Sequence, residues 1–419
     1  MTVVAAEQSG SGAADTTGTV STAVVRGRHF TGLDGIRALG ALMVLTTHVG
    51  FQSGAALNGP FDGVLSRMDS GVAIFFVISG FLLYRPHAIA WLTTSTPPHL
   101  GRYFLHRVLR IYPALWITVI GAALIMNPNG PGPRPYVMHA LTLQIYTTGN
   151  ELLGLTQMWS LATEVAFYAA LPLFAWLLGR GVPTARSLRA RLFLLLCMPL
   201  VGASWMALNA AHSQSLRLLW LPGFLGWFAM GMLLALWQSA RATGHLETGP
   251  MDRLLSSPGT LWATAGALYL VCISPVAGPY RLVEYSPGEA AVKNALYAIL
   301  GALIVLPSVG LPLGDSGVAR HRLVLRVGKF LGDISYGIFC YHLIILGLAE
   351  RALGHKTFGG DFVRLWILTV IGSVAIASLS FYFVERPIMR WGRRNEPVIR
   401  AGKSAVGVNA KATPAITNH

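Results

Sequence analysis

The sequence predicts an all-α fold: a polytopic membrane bundle of about ten transmembrane helices with both termini in the cytoplasm. Three observations predict it. Of 419 residues, 53% are hydrophobic and only 12% are charged, where an average soluble domain carries about 25% charge. Apolar runs about 20 residues long, enough to cross a bilayer as a helix, recur along the whole chain. A spanning β-barrel would instead show short alternating segments. Lys and Arg collect in alternate connections, with 23 on one side, eight on the other and Arg37 inside a span. By the positive-inside rule the richer side, which includes both ends of the chain, faces the cytoplasm.

Residues 1–29 are small and polar and lack the apolar core of a signal peptide, so they read as a disordered cytoplasmic tail. Residues 30–392 form one membrane domain. Its spans are expected at 35–53, 71–89, 109–126, 159–179, 190–209, 218–239, 259–276, 292–310, 330–350 and 363–384. His99 to Val108 reads as a basic amphipathic entry to the third span, and Tyr136 to Tyr146 is too short to cross and belongs at the interface. Residues 393–419 read as a disordered basic tail in the cytoplasm. The net charge of +15 does not point to nucleic acid, because it is laid out in alternate loops. Cys197, Cys272 and Cys340 lie in separate apolar stretches and read as packing residues, and no cluster has metal-ligand spacing. The absence of an internal repeat disfavours a secondary transporter.

The first span carries the chemistry. It holds Arg37 and His48, eleven positions apart in an otherwise apolar stretch. Eleven helical steps return to within roughly 20° of the same face and rise about 16 Å. Ionisable groups inside a span are costly and mark function. One permanent cation and one group that exchanges a proton near neutral pH read as an anion anchor and a base. Orientation then assigns depth: Arg37, Arg102, Arg107 and Arg110 lie at the cytoplasmic level, while Glu164 shares the deeper level of His48. Arginine suits phosphate through bidentate hydrogen bonds. His48 is placed as a base, and Glu164 as the carboxylate that orients it and stabilises the imidazolium. His342 is a second proton-handling candidate. Asp34 and Asp333 are placed at the inner mouth. Ser79-Gly80 reads as a place where another helix or a thin ligand arm approaches the backbone, since the apolar run before Ser79 is not a nucleophile elbow.

Taken in order, these motifs resemble the acyltransferase-3 family of integral membrane O-acyltransferases. Arg37 and His48 match its arginine–ten residues–histidine signature, and Phe75-Phe76-Val77-Ile78-Ser79-Gly80-Phe81 matches F-F-x-x-S-G-F. Arg107-Val108-Leu109-Arg110-Ile111-Tyr112-Pro113 matches R-x-x-R-I-x-P, and Trp159-Ser160-Leu161 with Glu164, Phe167 and Tyr168 matches W-S-L-x-x-E-x-x-F-Y. Ser335-Tyr336 with His342, then Glu385-Arg386-Pro387, match the late elements, although Phe339 and Tyr341 stand where Tyr and Trp are usual. The resemblance covers about residues 30 to 390. It implies an enzyme of the cytoplasmic membrane that moves an acyl group, most often acetyl from acetyl-CoA, to a hydroxyl of a sugar or glycolipid. It implies no permanently bound cofactor. The CoA phosphates would meet Arg37, Arg107 and Arg110, the pantetheine arm would pass Ser79, and His48 would deprotonate the acceptor while held by Glu164. His342 or Tyr336 would assist the oxyanion. From the charges alone, a transporter or flippase of a lipid-linked sugar or anionic solute stays open as the alternative.

Overall fold

The computed structural model describes residues 30–210, 215–279, 283–310 and 322–394. Every regular element among them is helical. The long helices in chain order are α1 Thr31–Ser53, α2 Gly71–Leu92, α3 Leu100–Gly121, α4 Met158–Leu178, α5 Ala185–Ala210, α6 Leu221–Ala242, α7 Pro258–Ile273, α8 Pro287–Val309, α9 Arg322–Leu353 and α10 Phe362–Ser380. Each covers one predicted span. Among the described residues, eight helical segments are long and apolar enough to cross a membrane. Helix α7 falls short with 16 residues. Helix α1 falls outside the eight because Arg37, His48 and Gln52 dilute its hydropathy. The two predicted tails, 1–29 and 393–419, lie outside the described residues except for Arg393 and Arg394, which end a short helix.

The amphipathic entry to the third span is the start of α3 itself, with Leu100, Phe104, Leu105 and Val108 exposed along it. Tyr136 to Tyr146 divides into a short helix, Pro133–Ala140, and a single 3₁₀ turn, Gln144–Tyr146. The ends of α3 and α10 widen into π-turns at Ala122–Met126 and Phe381–Glu385.

Helix α2 is the centre of the bundle. In the segment that contains it, 72% of the most apolar window is buried, against 17% in the peripheral α5. It packs on α1, α4, α6 and α8. Its approach to α6 rests on two glycines. A Cβ on Gly80 would strike the Phe228 carbonyl, and a Cβ on Gly231 would strike the Val77 carbonyl and the Phe81 nitrogen. Small residues let helix backbones meet in a membrane, so the expected approach beside Ser79 occurs, and α6 makes it. Three stacked rings then tie α2, α6 and α4: Phe228 lies 4.3 Å from Phe76 and 4.0 Å from Phe167 between centroids. Gly231→Ala is expected to cost about 1–3 kcal/mol through this overpacking. Thermal unfolding in detergent checks it, and an unchanged midpoint would show that the helices give way freely.

On the other side of α2, α1 packs lengthwise on α9, and α10 covers both. That pairing sets the site, because it turns the ionisable face of α1 toward the histidine of α9.

Candidate active site

Six of the predicted residues line one narrow central cavity of about 90 Å³: Arg37, Ser79, Arg107, Arg110, Glu164 and Tyr336. They come from α1, α2, α3, α4 and α9. Glu164 is the polar centre. Its Oε1 accepts the Tyr168 hydroxyl at 2.6 Å and the Ser79 hydroxyl as well. Tyr168 stands one turn after Glu164, so the carboxylate and its donor share a face of α4. The Arg107 guanidinium lies 5.9 Å from the centre of the Tyr168 ring. Arg37 forms a pair at 3.6 Å with Asp34, one turn earlier on α1. Among the described residues, three guanidinium groups thus face a cavity with a single lining carboxylate, and the field there favours an anion. Asp34 and Asp333, expected at the inner mouth, do not line this cavity; Asp333 pairs with Lys329 at 3.0 Å.

His48 and His342 form a second, separate group, which corrects the expected His48–Glu164 pairing. His48 Nδ1 lies 2.8 Å from the Val44 carbonyl and 3.1 Å from His342 Nε2. His342 Nδ1 lies 2.8 Å from the Phe339 carbonyl and 3.2 Å from that of Ile338. A carbonyl oxygen only accepts, so in neutral rings both Nδ1 atoms carry the proton. His342 then offers the lone pair of Nε2 to His48, and the basic nitrogen of His48 is Nε2. An imidazole therefore takes the place expected for a carboxylate. The rings sit 5.0 Å apart between centroids.

By the same bookkeeping the two expected oxyanion donors are engaged elsewhere in this arrangement. In this tautomer His342 has no second N–H to give. Tyr336 lines the cavity, but its only O–H donates to the Ile111 carbonyl at 2.8 Å. Phe339 joins the two groups: it lines the cavity, its ring lies 6.2 Å from that of His342, and it meets Phe75 edge-on at 6.3 Å.

Two wider cavities adjoin the narrow one. At the C-terminal end of α2, a vestibule of about 550 Å³ shares Leu82, Leu83 and Arg107 with it and adds His87, His99, Arg102 and His106. At the N-terminal end of α2, a cavity of about 560 Å³ meets it at a single shared residue, Val72. From Asp69 to His87, helical rise gives about 27 Å, close to the thickness of a hydrocarbon core.

Sequence reasoning missed the polar wall of the second wide cavity. Arg67, only 1% exposed, donates to the carbonyls of Cys272 (2.8 Å), Ala277 (3.0 Å), Gly278 (2.5 Å) and Pro279 (3.4 Å) and to the Tyr285 hydroxyl (2.9 Å). Lys293 donates to Asp69 at 2.8 Å and to Tyr285 at 3.3 Å, and the Tyr297 hydroxyl donates to the other Asp69 oxygen. The available signal was a lysine inside the apolar stretch of α8 and a charged pair, Arg67 and Asp69, just before α2.

A family model described as an acyltransferase domain matches residues 30–384. Nodulation protein 10 of Rhizobium leguminosarum bv. viciae is 27% identical over 86% of this chain and 94% of its own length. An acyltransferase of Streptomyces mycarofaciens is 26% identical over 91% of this chain and 97% of its own. The peptidoglycan O-acetyltransferase of Listeria monocytogenes is 23% identical over 86% of this chain, which spans just over half, 56%, of that longer protein. The share is also 56% for a Bacillus subtilis relative whose name proposes the same activity. No solved structure matches the chain. The family match over nearly all of the described helices, together with the six motif residues that meet on one cavity, makes this chain a member of the acyltransferase-3 family of multi-pass membrane proteins.

Proposed function

We propose that the protein is an O-acyltransferase of the cytoplasmic membrane that moves an acyl group, acetyl foremost, from cytoplasmic acyl-CoA to a hydroxyl of a cell-envelope sugar or glycolipid. The observation that carries this reading is the convergence of Arg37, Arg107 and Arg110 on a narrow cavity that continues into a basic vestibule. By the distribution of Lys and Arg, the vestibule end faces the cytoplasm. The phosphates of the donor then meet the vestibule and the three arginines, and the thin pantetheine arm follows the narrow cavity past Ser79. The names of the Listeria and Streptomyces relatives support acyl transfer.

In the proposed step, the acceptor oxygen attacks the thioester carbonyl carbon while its proton passes to His48 Nε2. The C–O bond forms, the C–S bond breaks, and the leaving thiolate takes the proton from the imidazolium. His342 positions His48 by turning its lone pair onto Nδ1, a neutral counterpart of the acid in a hydrolase triad. Phe339 turns aside to let the thioester approach the histidines. Glu164 holds Ser79 and Tyr168 and balances the arginines.

Purified protein in lipid nanodiscs with labelled acetyl-CoA and envelope glycans tests the reading: label is expected on the glycan, with free CoA as co-product. Accumulation of a sugar in proteoliposomes with no thioester cleavage would replace it with the transporter alternative. Arg37→Met is expected to raise the KM for acetyl-CoA about tenfold or more, as a charge-assisted hydrogen bond is lost, and to leave the acceptor KM unchanged. An unchanged donor KM would remove Arg37 from the donor site.

A further inference from the structure

The two wide cavities differ in charge. The passage beyond the vestibule presents three arginines against one carboxylate. Among the described residues, Asp69 and Glu284 of the cavity beyond Val72 stand against Lys293 and, behind it, Arg67. Charges matched in this way do not favour an anion as the three arginines of the passage do. Its volume, about 560 Å³, lies in the range of small-molecule sites, roughly 300–1,000 Å³.

The two sides of this cavity are chemically distinct. One is aromatic: Trp159 lies 5.1 Å from Phe224 between ring centroids, and Trp227 lies 5.9 Å from Tyr297. Indole faces are electron-rich, and the C–H bonds of a sugar ring present weakly positive hydrogen to such a face. The other side is polar with unused capacity. Lys293 has three N–H donors and spends two, on Asp69 and Tyr285. Asp69 accepts from Lys293 and Tyr297, and a carboxylate can accept about four bonds. Hydroxyl groups supply both the donors and the acceptors that this wall lacks.

We propose that this cavity binds the acceptor, a neutral carbohydrate whose ring lies on Trp159 and Trp227 and whose hydroxyls bridge Lys293 and Asp69. The hydroxyl to be acylated points to Val72, the boundary with the donor passage. Arg67 is a positioning residue here: it holds the hydroxyl of Tyr285, which lines the cavity, and ties it to the carbonyls of the Pro275–Pro279 turn. The sugar site stands on its own geometry, and its part in catalysis rests on the donor reading above.

The test uses the full-length protein in nanodiscs and a diazirine-bearing alkyl β-glucoside, with labelled peptides mapped by mass spectrometry. Label is expected on the segments that hold Trp159 and Trp227, competed by methyl β-glucoside and not by a long-chain alcohol. Lys293→Met is expected to raise the half-saturating probe concentration about tenfold or more and to leave the acetyl-CoA dissociation constant unchanged. Label competed only by the alcohol would identify a lipid cleft and overturn the proposal, as would label elsewhere or none. Specific label on these segments with no thioester cleavage under any condition would keep the sugar site and remove the donor reading. Cleavage and transfer with unlabelled segments would do the reverse.

Discussion

His48→Ala is expected to slow acetyl transfer about 10²- to 10⁴-fold, the range a positioned general base contributes, with acetyl-CoA binding intact. In the proposed function binding survives because the donor's phosphates meet Arg37, Arg107 and Arg110, which line the cavity that His48 does not line. Chemistry is lost because Nε2 of His48 is the basic nitrogen that the Val44 carbonyl and His342 leave available. The role of His342 separates from this. His342→Gln keeps a polar group beside His48 but not the imidazole geometry, so an intermediate loss of roughly 10- to 100-fold is expected, as for partners that orient a functional histidine. Single-turnover transfer from radiolabelled acetyl-CoA measures both. A His48→Ala protein within about threefold of wild type would end the assignment of the base, and equal losses in the two variants would show that the rings act as one unit.

The largest expected effect on stability belongs to Arg67. The Arg67→Met protein is expected to lose about 3–5 kcal/mol, the usual result of removing one partner from a buried charged network. The removed guanidinium leaves the carbonyls of Cys272, Ala277 and Gly278 without its N–H groups, and it leaves Asp69 and Lys293 with one charge fewer behind them. Arg67→Lys is not expected to rescue, because a point ammonium with three donors cannot span acceptors laid out for a planar fork. Unfolding in mixed detergent micelles measures this, and a midpoint equal to wild type in Arg67→Met would show that the network carries no net stability.

The fold was legible wherever hydropathy alone decides. All ten predicted stretches lie on helices, and the errors sit at the ends, where α1, α3 and α9 start earlier than apolarity suggests. Those added turns carry Asp34, Arg102 and Arg326, whose charge conceals a helix from a hydropathy window. The cavity residues were legible for a related reason: a charge in or at the end of a span is costly enough to need a place, and Arg37, Arg107, Arg110 and Glu164 share one. The partner of His48 was not legible. It depends on which helix lies against α1, and the pairing joins residues 294 positions apart. Depth placed Glu164 and His342 at comparable levels, and only the packing of α9 on α1 chooses between them. Asp69 and Lys293 were hidden likewise, since neither charge shows its partner until a contact across 224 positions pairs them.

Among the described residues, Val72 is the one lining residue that the narrow passage and the wide cavity at the N-terminal end of α2 share, and this has an electrical consequence. Wherever polar, hydrated pockets approach from both faces, the voltage across a bilayer falls mostly over the thin insulating layer left between them. In the proposed reaction a proton passes from the acceptor oxygen to the donor sulfur while the acyl group passes the other way, so each side stays neutral and no net charge moves through that layer. A full crossing by one elementary charge would be worth about 2.3 kcal/mol per 100 mV. An exchange of proton for acyl group draws nothing from that potential, and turnover in sealed vesicles should be the same with and without an imposed voltage.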